Sequence, residues 1–371
     1  MSISTTYKLE TNPFRITPAT SPNELIWAGF TEIREKFELR IKRSIKIQNS
    51  SLILNWGEYG SGKTHAARYF NKASVLEEIA KDVNSEIPYS IVLPLPKGKE
   101  PVFSMYTSVI DKLDIQVLRS RFQEKGASIN SFIDEMHDNM QIQSILKAIF
   151  NPDVYDINLL KKYLYGNISN TELKGLNDFG ILRHLNSDSD YTKLLAGLFS
   201  CLTYDKKVYS AVIIWIDEFE DLAVLSSSNI DKTNNFLREI LDNTPNNLLV
   251  FLNLTQSALF GVEDLGEYVY ESVRSRIKDR VNFDLPSPEQ FRTYLKDLLE
   301  KFRSEEVEEQ IFFPYEKDLV DELIRELGNV SLRSFNEAFS MLLELAELES
   351  VCPITSEFFE RNRNEVLGWK E

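Results

Sequence analysis

Apolar residues recur along this chain with two different periods. Ile33, Phe37, Ile41 and Ile45 return every four positions between residues 30 and 47, a spacing that lines one face of an amphipathic helix. Residues 51–55, 89–95, 211–216 and 248–254 are short apolar runs instead. They have strand length and no alternation, as strands buried on both faces of a parallel sheet do. Helical patterns lie between them, after residue 62 through Ala66 and Phe70, at 102–113 and at 234–241, while 194–202 leads into the third run. Strands alternating with helices predict an α/β domain on a parallel sheet. Beyond Pro286-Ser287-Pro288 the pattern is helical only, with segments near 289–303, 315–327, 331–349 and 355–366. Residues 114–190 interrupt the alternation with helical patches such as 142–150 and an Asn/Ser/Gly/Asp-rich stretch at 166–190, and read as a mostly helical insertion. Asn12-Pro13-Phe14, Pro18 and Pro22 punctuate an extended lead-in. The expected organisation is a lead-in and helix at 1–50, an α/β base at 51–285 carrying the insertion, and a helical region at 286–371.

Composition narrows the class. The chain has 371 residues, 43% hydrophobic and 27% charged, the balance of a soluble globular protein with more than one domain. Cys201 and Cys352 lie far apart without a Cys or His at ligand spacing, so both read as small packing residues in a reducing compartment. The polar amino terminus lacks the apolar stretch of a signal peptide, and no apolar run has the length of a bilayer span. A cytoplasmic protein without membrane contact is expected. Of the net charge of −15, two thirds falls in residues 286–371, where 20 Asp and Glu face 10 Lys and Arg. That acidic region argues against wrapping nucleic acid, because phosphate contacts need Lys and Arg. A local basic strip, Arg40, Lys42, Arg43 and Lys46, reads as a solvated helix end.

The candidate chemistry begins at Gly57-Glu58-Tyr59-Gly60-Ser61-Gly62-Lys63-Thr64. It matches G-x-x-x-x-G-K-[ST] at every fixed position, directly after a predicted strand and at the start of a predicted helix. In such a loop glycines let backbone N–H groups converge on phosphate oxygens. Lys63 is expected on the β- and γ-phosphates of ATP and Thr64 on Mg²⁺. His65 follows the loop and reads as a helix residue without a chemical role of its own. Downstream, the apolar run Ile213-Ile214-Trp215-Ile216 ends in Asp217-Glu218. Ligands of parallel sheets sit beyond the carboxyl ends of the strands, so Asp217 is expected in the Mg²⁺ shell and Glu218 on the attacking water.

The loop together with Asp217-Glu218-Phe219-Glu220-Asp221-Leu222 resembles the AAA+ ATPase superfamily, most of all its initiator-type members, the origin-recognition and replication-loading ATPases. The Asn12-Pro13-Phe14 opening also resembles bacterial transposition-regulator and secretion-linked ATPases. The resemblance covers residues 12 to about 366, the 114–190 insertion excepted. It implies an AAA+ base of P-loop type with a C-terminal helical lid, and roles for further residues. Asn253 and Thr255, at the end of the fourth strand, match the first sensor that positions the lytic water. Ser275-Arg276 matches the segment carrying an arginine finger, with Arg274 and Arg280 as alternatives. Gly328-Asn329-Val330-Ser331-Leu332-Arg333 resembles the second-sensor segment, with Arg333 towards the phosphates. Adenine contacts are expected from Ile26 and Trp27.

Two functions follow from the resemblance. One is a homo-oligomeric ATPase whose neighbours complete each other's sites through Arg276, switching on DNA or on a DNA-bound partner. Initiator-type proteins usually continue into a winged-helix DNA reader that this sequence does not show, so sequence-specific DNA binding by the chain alone is not expected, and DNA would be met directly or through a partner. The other is an ATP-gated assembly subunit of a bacterial defence or signalling complex with slow turnover, recognising its partner through residues 114–190. An aromatic-hydrophobic-glycine pore loop of the unfoldase kind is not seen in the expected region.

Overall fold

The computed structural model describes every residue except 1–2, 18–20, 22–23, 127, 137–138, 154–155, 245, 257–260, 262–263, 308–309 and 369–371. Pro18 and Pro22 lie outside the described residues. The described chain forms two compact units, one of residues 37–55 and 70–281, the other of 1–36, 56–69 and 282–371.

The first of these units is built on a five-stranded parallel sheet in the order β2-β3-β4-β1-β5. Its strands are β1 (Ser50–Glu58), β2 (Tyr89–Pro94), β3 (Val212–Asp217), β4 (Leu248–Gln256) and β5 (Ile277–Phe283), of which β1 and β5 run on into the sequence of the second unit. β2 and β3 pair from Tyr89↔Val212 to Pro94↔Asp217, and β3 and β4 from Val212↔Leu248 to Ile216↔Leu252. Both faces of β3 and of most of β4 are buried, which explains their apolar runs, interrupted in β4 by Asn253. Trp215 stacks on Phe251 with centroids 3.9 Å apart, and Phe37, from the helix Thr31–Lys46, lies 5.5 Å from each ring. Each such side chain contributes about 1.5–3 kcal/mol by leaving water.

Four strands were expected, and a fifth is present. Residues 273–280 were read as a basic segment around an arginine; the structure has a one-turn helix, Glu271–Arg274, and then β5. Ile277, Val281 and Phe283 turn towards the interior while Lys278, Arg280 and Asn282 face out. This is the period-two pattern of a strand covered on one face. The helix after the loop is also shorter than expected, ending at Tyr69 before a separate helix Ala73–Asp82.

The 114–190 insertion is a run of short helices, Ile115–Glu124, Asn130–Met136, Met140–Phe150, Ile157–Leu164 and Asn170–Leu173, followed by a 3₁₀ turn, Lys174–Phe179. Its polar residues are the punctuation between helices. Asp114, Asn139, Asp156 and Ser169 each accept N–H bonds from the first turn that follows them. Arg183 grips Asp190 with both terminal nitrogens, at 2.8 and 2.9 Å.

The second unit collects the helices Pro288–Lys301, Lys317–Leu327, Leu332–Glu349 and Ser356–Leu367 around Phe291, Leu295, Leu319, Leu323, Phe335 and Phe339. Phe291 and Phe335 stack at 4.4 Å. The lead-in is folded into this core. Phe14 stacks on Phe339 at 5.6 Å and meets Tyr315 edge-on, while the Asn12 amide donates to Ser340 Oγ at 2.9 Å. Asn12 Oδ1 accepts the Phe14 N–H at 3.0 Å, an Asx turn that aims the ring inward. Among the described residues no helix is long and apolar enough to cross a membrane.

Candidate functional site

The glycine-rich loop belongs to the second unit. Buried Trp56 brings β1 to Gly57, where a Cβ would lie 2.6 Å from the Phe283 carbonyl oxygen. Gly60 and Gly62 have φ of +76° and +103°, a backbone that side chains rarely tolerate. A Cβ at Gly60 would also meet Arg333 Cβ at 2.8 Å. The chain therefore requires glycine at all three positions, and the turn they make is the nest form that presents backbone N–H groups to an anion. The helix Lys63–Tyr69 starts at once. Lys63 is 6% exposed, and its Nζ donates to the Gly57 and Glu58 carbonyls at 2.9 and 2.8 Å and to Ser61 Oγ at 3.2 Å. A buried ammonium is costly without acceptors, so the loop is closed around the lysine it carries.

Three of the expected residues meet this loop or its helix. Arg333 lies against it: its N–H donates to the Gly60 carbonyl at 3.3 Å, its guanidinium sits 4.5 Å from the centroid of the Tyr59 ring, and it hydrogen-bonds the Tyr59 hydroxyl. Arg333 Nε also donates to the Ile16 carbonyl at 2.9 Å. Ile26 and Trp27 meet the helix of the loop. His65 Nε2 donates to the Ile26 carbonyl at 2.7 Å, and the Trp27 ring is 6.4 Å from His65 and 5.3 Å from Tyr69. His65 thus ties the lead-in to the loop's helix, a contact that its place in the sequence did not suggest. Thr64 is half-buried in the first turn.

The acidic strand end belongs to the first unit. Asp217 closes β3, and Glu218 follows with φ +55° and ψ +40°. A left-handed non-glycine residue costs about 1–3 kcal/mol, and it turns the chain sharply after the strand. Asn253 is fully buried on the neighbouring strand and donates Nδ2 to Asp217 Oδ1 at 2.9 Å. Its own Oδ1 accepts Asn55 Nδ2 at 2.7 Å. Thr255 is half-buried, and its backbone N–H donates to Glu220 Oε2 at 2.9 Å. Of the two expected sensor residues, Asn253 is the one whose side chain reaches Asp217.

Sequence position gives Lys97 and Asn55 no role, and Glu220 and Asp221 enter only as part of the motif after the strand. Lys97 Nζ lies 2.9 Å from Asp221 Oδ2 and 3.7 Å from Glu218 Oε2. The close Asp221 carboxylate raises the Lys97 pKa above its ordinary value. The only sequence signal for it was a lysine shortly after the second apolar run. The three candidate finger arginines are on the same unit. Arg276 makes a two-pronged pair with Asp242, at 2.7 and 2.6 Å, and bonds the Ser272 carbonyl. Arg274 pairs with Glu271 at 2.8 Å, and Arg280 is an exposed residue of β5.

The loop fits a polyphosphate: the cradle needs glycine where a Cβ would collide, and Lys63 supplies an ammonium. Thr64 in the loop's unit and Asp217 in the other each offer an oxygen of the kind Mg²⁺ takes.

No family model and no curated protein matches the chain. Solved structures do. The fold is similar to the Aeropyrum pernix ORC2 protein in its ADPNP–ADP complexes, with TM-score 0.53, 12% identity, and 93% of this chain on 71% of that one. The ADP form of that protein gives TM-score 0.52, 14% identity, and 89% of this chain on 66% of that one. Drosophila ORC bound to DNA gives TM-score 0.51, 13% identity, and 99% of this chain on 67% of that one. The chain thus spans about two thirds of the ADP-form and Drosophila chains. The likeness is one of fold.

Proposed function

We propose that the chain binds ATP with Mg²⁺ and hydrolyses it, acting as a homo-oligomeric switch on DNA or on a DNA-bound partner. The observation that carries this reading is the loop at 57–64, bent by three obligatory glycines around the buried Lys63. Lys63 exchanges loop carbonyls for the β- and γ-phosphates, a stronger, charge-assisted set of acceptors. Thr64 and Asp217 would each give an oxygen to Mg²⁺, which when bound would neutralise charge on the phosphates. Glu218 orients the attacking water, with Asn253 keeping Asp217 in place. Arg276 of one subunit serves the site of the next. Arg333, already against the loop, responds to the phosphates, and Ile26 and Trp27 take the adenine.

DNA-stimulated ATPase activity with a steep salt dependence tests the switch. The likeness to ORC structures, one of them bound to DNA, supports that assignment. A second reading, an ATP-gated assembly subunit of a defence or signalling complex, is favoured by the insertion, where Met140 and Leu182 are 79% and 68% exposed. ATP-dependent co-purification of one protein partner in the absence of DNA would select it. The absence of ATP binding by the purified chain would overturn both.

A further inference from the structure

Asn55 is a polar residue that β1 has no packing reason to hold. Its neighbours Leu52, Ile53, Leu54 and Trp56 are buried, and Asn55 itself is fully buried among them. A carboxamide in such a place is unfavourable unless it is bonded. Asn55 is bonded at one end only. Nδ2 donates to Asn253 Oδ1 at 2.7 Å, while Oδ1 is buried without a hydrogen-bond partner among the described residues. Native structures keep few such orphan atoms, and each calls for a reason.

The reason lies at the far end of the chain of bonds. An ionised carboxylate only accepts, so Asn253 must turn its Nδ2 to Asp217. That leaves Asn253 Oδ1 facing Asn55, which must then present Nδ2. Every amide in the relay has one orientation, and the oxygen left over is the orphan on Asn55. We propose that Asn55 is a positioning residue: through Asn253 it fixes Asp217 Oδ1 and so sets the carboxylate for the metal. Without the Asn55 donor, Asn253 loses the bond on its Oδ1, and the aim of its Nδ2 at Asp217 is held less firmly. Because Asn55 stands two residues before Gly57 on β1, the same strand carries both the first loop glycine and the support of the acid. The inference rests on the reading of Asp217 as a metal ligand.

The test is the affinity of the full chain for Mn²⁺ in the presence of saturating ADP, read by electron paramagnetic resonance. Metal-free nucleotide affinity and thermal melting are measured alongside. Asn55→Leu, which removes the donor at similar volume, is expected to weaken Mn²⁺ binding about tenfold, the usual effect of losing a residue that supports a ligand. Metal-free nucleotide affinity stays within about twofold, because the relay touches no nucleotide donor. Asn55→Ser, a shorter donor, is expected to weaken Mn²⁺ about threefold, and it decides the matter if the Leu variant does not fold. Folded variants that hold Mn²⁺ as the unaltered chain does overturn the proposal. Asp217→Asn separates the two claims. If it abolishes Mn²⁺ binding while Asn55→Leu does not, only the relay falls. If it has no effect, or if the unaltered chain with nucleotide holds no Mn²⁺, the ligand reading falls and the relay with it.

Discussion

Asn253 donates its side-chain amide to Asp217 at 2.9 Å from the adjacent strand, one step beyond the last registered pair, Ile216↔Leu252. Residues level with each other on neighbouring parallel strands point to the same side of the sheet, so the pairing register itself delivers the bond. Asn253→Ala leaves Asp217 Oδ1 and the buried Asn55 amide without that partner. A cost of about 1–3 kcal/mol in chemical denaturation is expected. A fall in kcat of about a hundredfold is expected with it, the scale of losing one preorganised donor. Unchanged kcat in the folded variant would remove Asn253 from the site.

Lys63→Ala takes away the ammonium on which the Gly57 and Glu58 carbonyls and Ser61 Oγ converge. ATP affinity is expected to fall at least about a hundredfold, in line with the loss of charge-assisted bonds worth roughly 3 kcal/mol. Titration with a fluorescent nucleotide reads this directly. Equal affinity in the variant would mean that the loop serves only as a turn.

Glu218→Gln preserves side-chain size, and the left-handed backbone at that position is no harder for Gln than for Glu. Binding of ATP should therefore persist while hydrolysis falls by about 10²–10⁴, the range for removal of a general base. A single-turnover assay on preloaded protein separates the two. Rapid turnover by the variant would assign water activation elsewhere, with Glu220 and Asp221 the next acids along the chain.

The sheet and the loop were legible because each is written in contiguous residues. The run at 211–216 is apolar throughout and that at 248–254 is apolar but for Asn253, as buried β3 and β4 require, and the loop's glycines mark its backbone shape. What stayed hidden depends on residues far apart in the chain. Lys97 meets Glu218 and Asp221 only because β2 lies beside β3, and Asn55 meets Asn253 only because β1 lies beside β4. β5 was missed for a different reason. Its charged outward positions, Lys278 and Arg280, drew a reading of charge where the alternation with Val281 and Phe283 carried the structure. In the Asn/Ser/Gly/Asp-rich stretch at 166–190, Ser169 and Ser187 are helix caps.

Phe14 gives the Asn-Pro-Phe opening a structural role that can be measured. The ring is 4% exposed between Phe339 and Tyr315. Phe14→Ala is expected to cost about 3–5 kcal/mol, the range for emptying a buried aromatic site. Limited proteolysis should then cut the helices of residues 288–367 sooner than the insertion. A variant that melts as the unaltered chain does would leave the motif free for partner contacts.

Arg276 enters the proposed oligomer from a bound position, held by both oxygens of Asp242. The pair is partly exposed, with side-chain accessibilities of 31% and 45%, and pairs of this kind contribute at most about 1 kcal/mol. That is weak enough for a phosphate on a neighbouring subunit to displace Asp242, since the guanidinium gains a more highly charged acceptor of the same forked geometry. Asp242→Asn should therefore leave folding stability within about 1 kcal/mol and move the rise of ATPase activity per chain to roughly fivefold lower protein concentration. Arg276→Ala should abolish that concentration dependence and lower the plateau by about 10³, as loss of a finger does. ATPase rates across a dilution series, with light scattering to follow assembly, check both. Should Arg276→Ala retain the full concentration dependence, the finger is Arg274 or Arg280, and the Asp242 pair is then a structural brace at the start of β5.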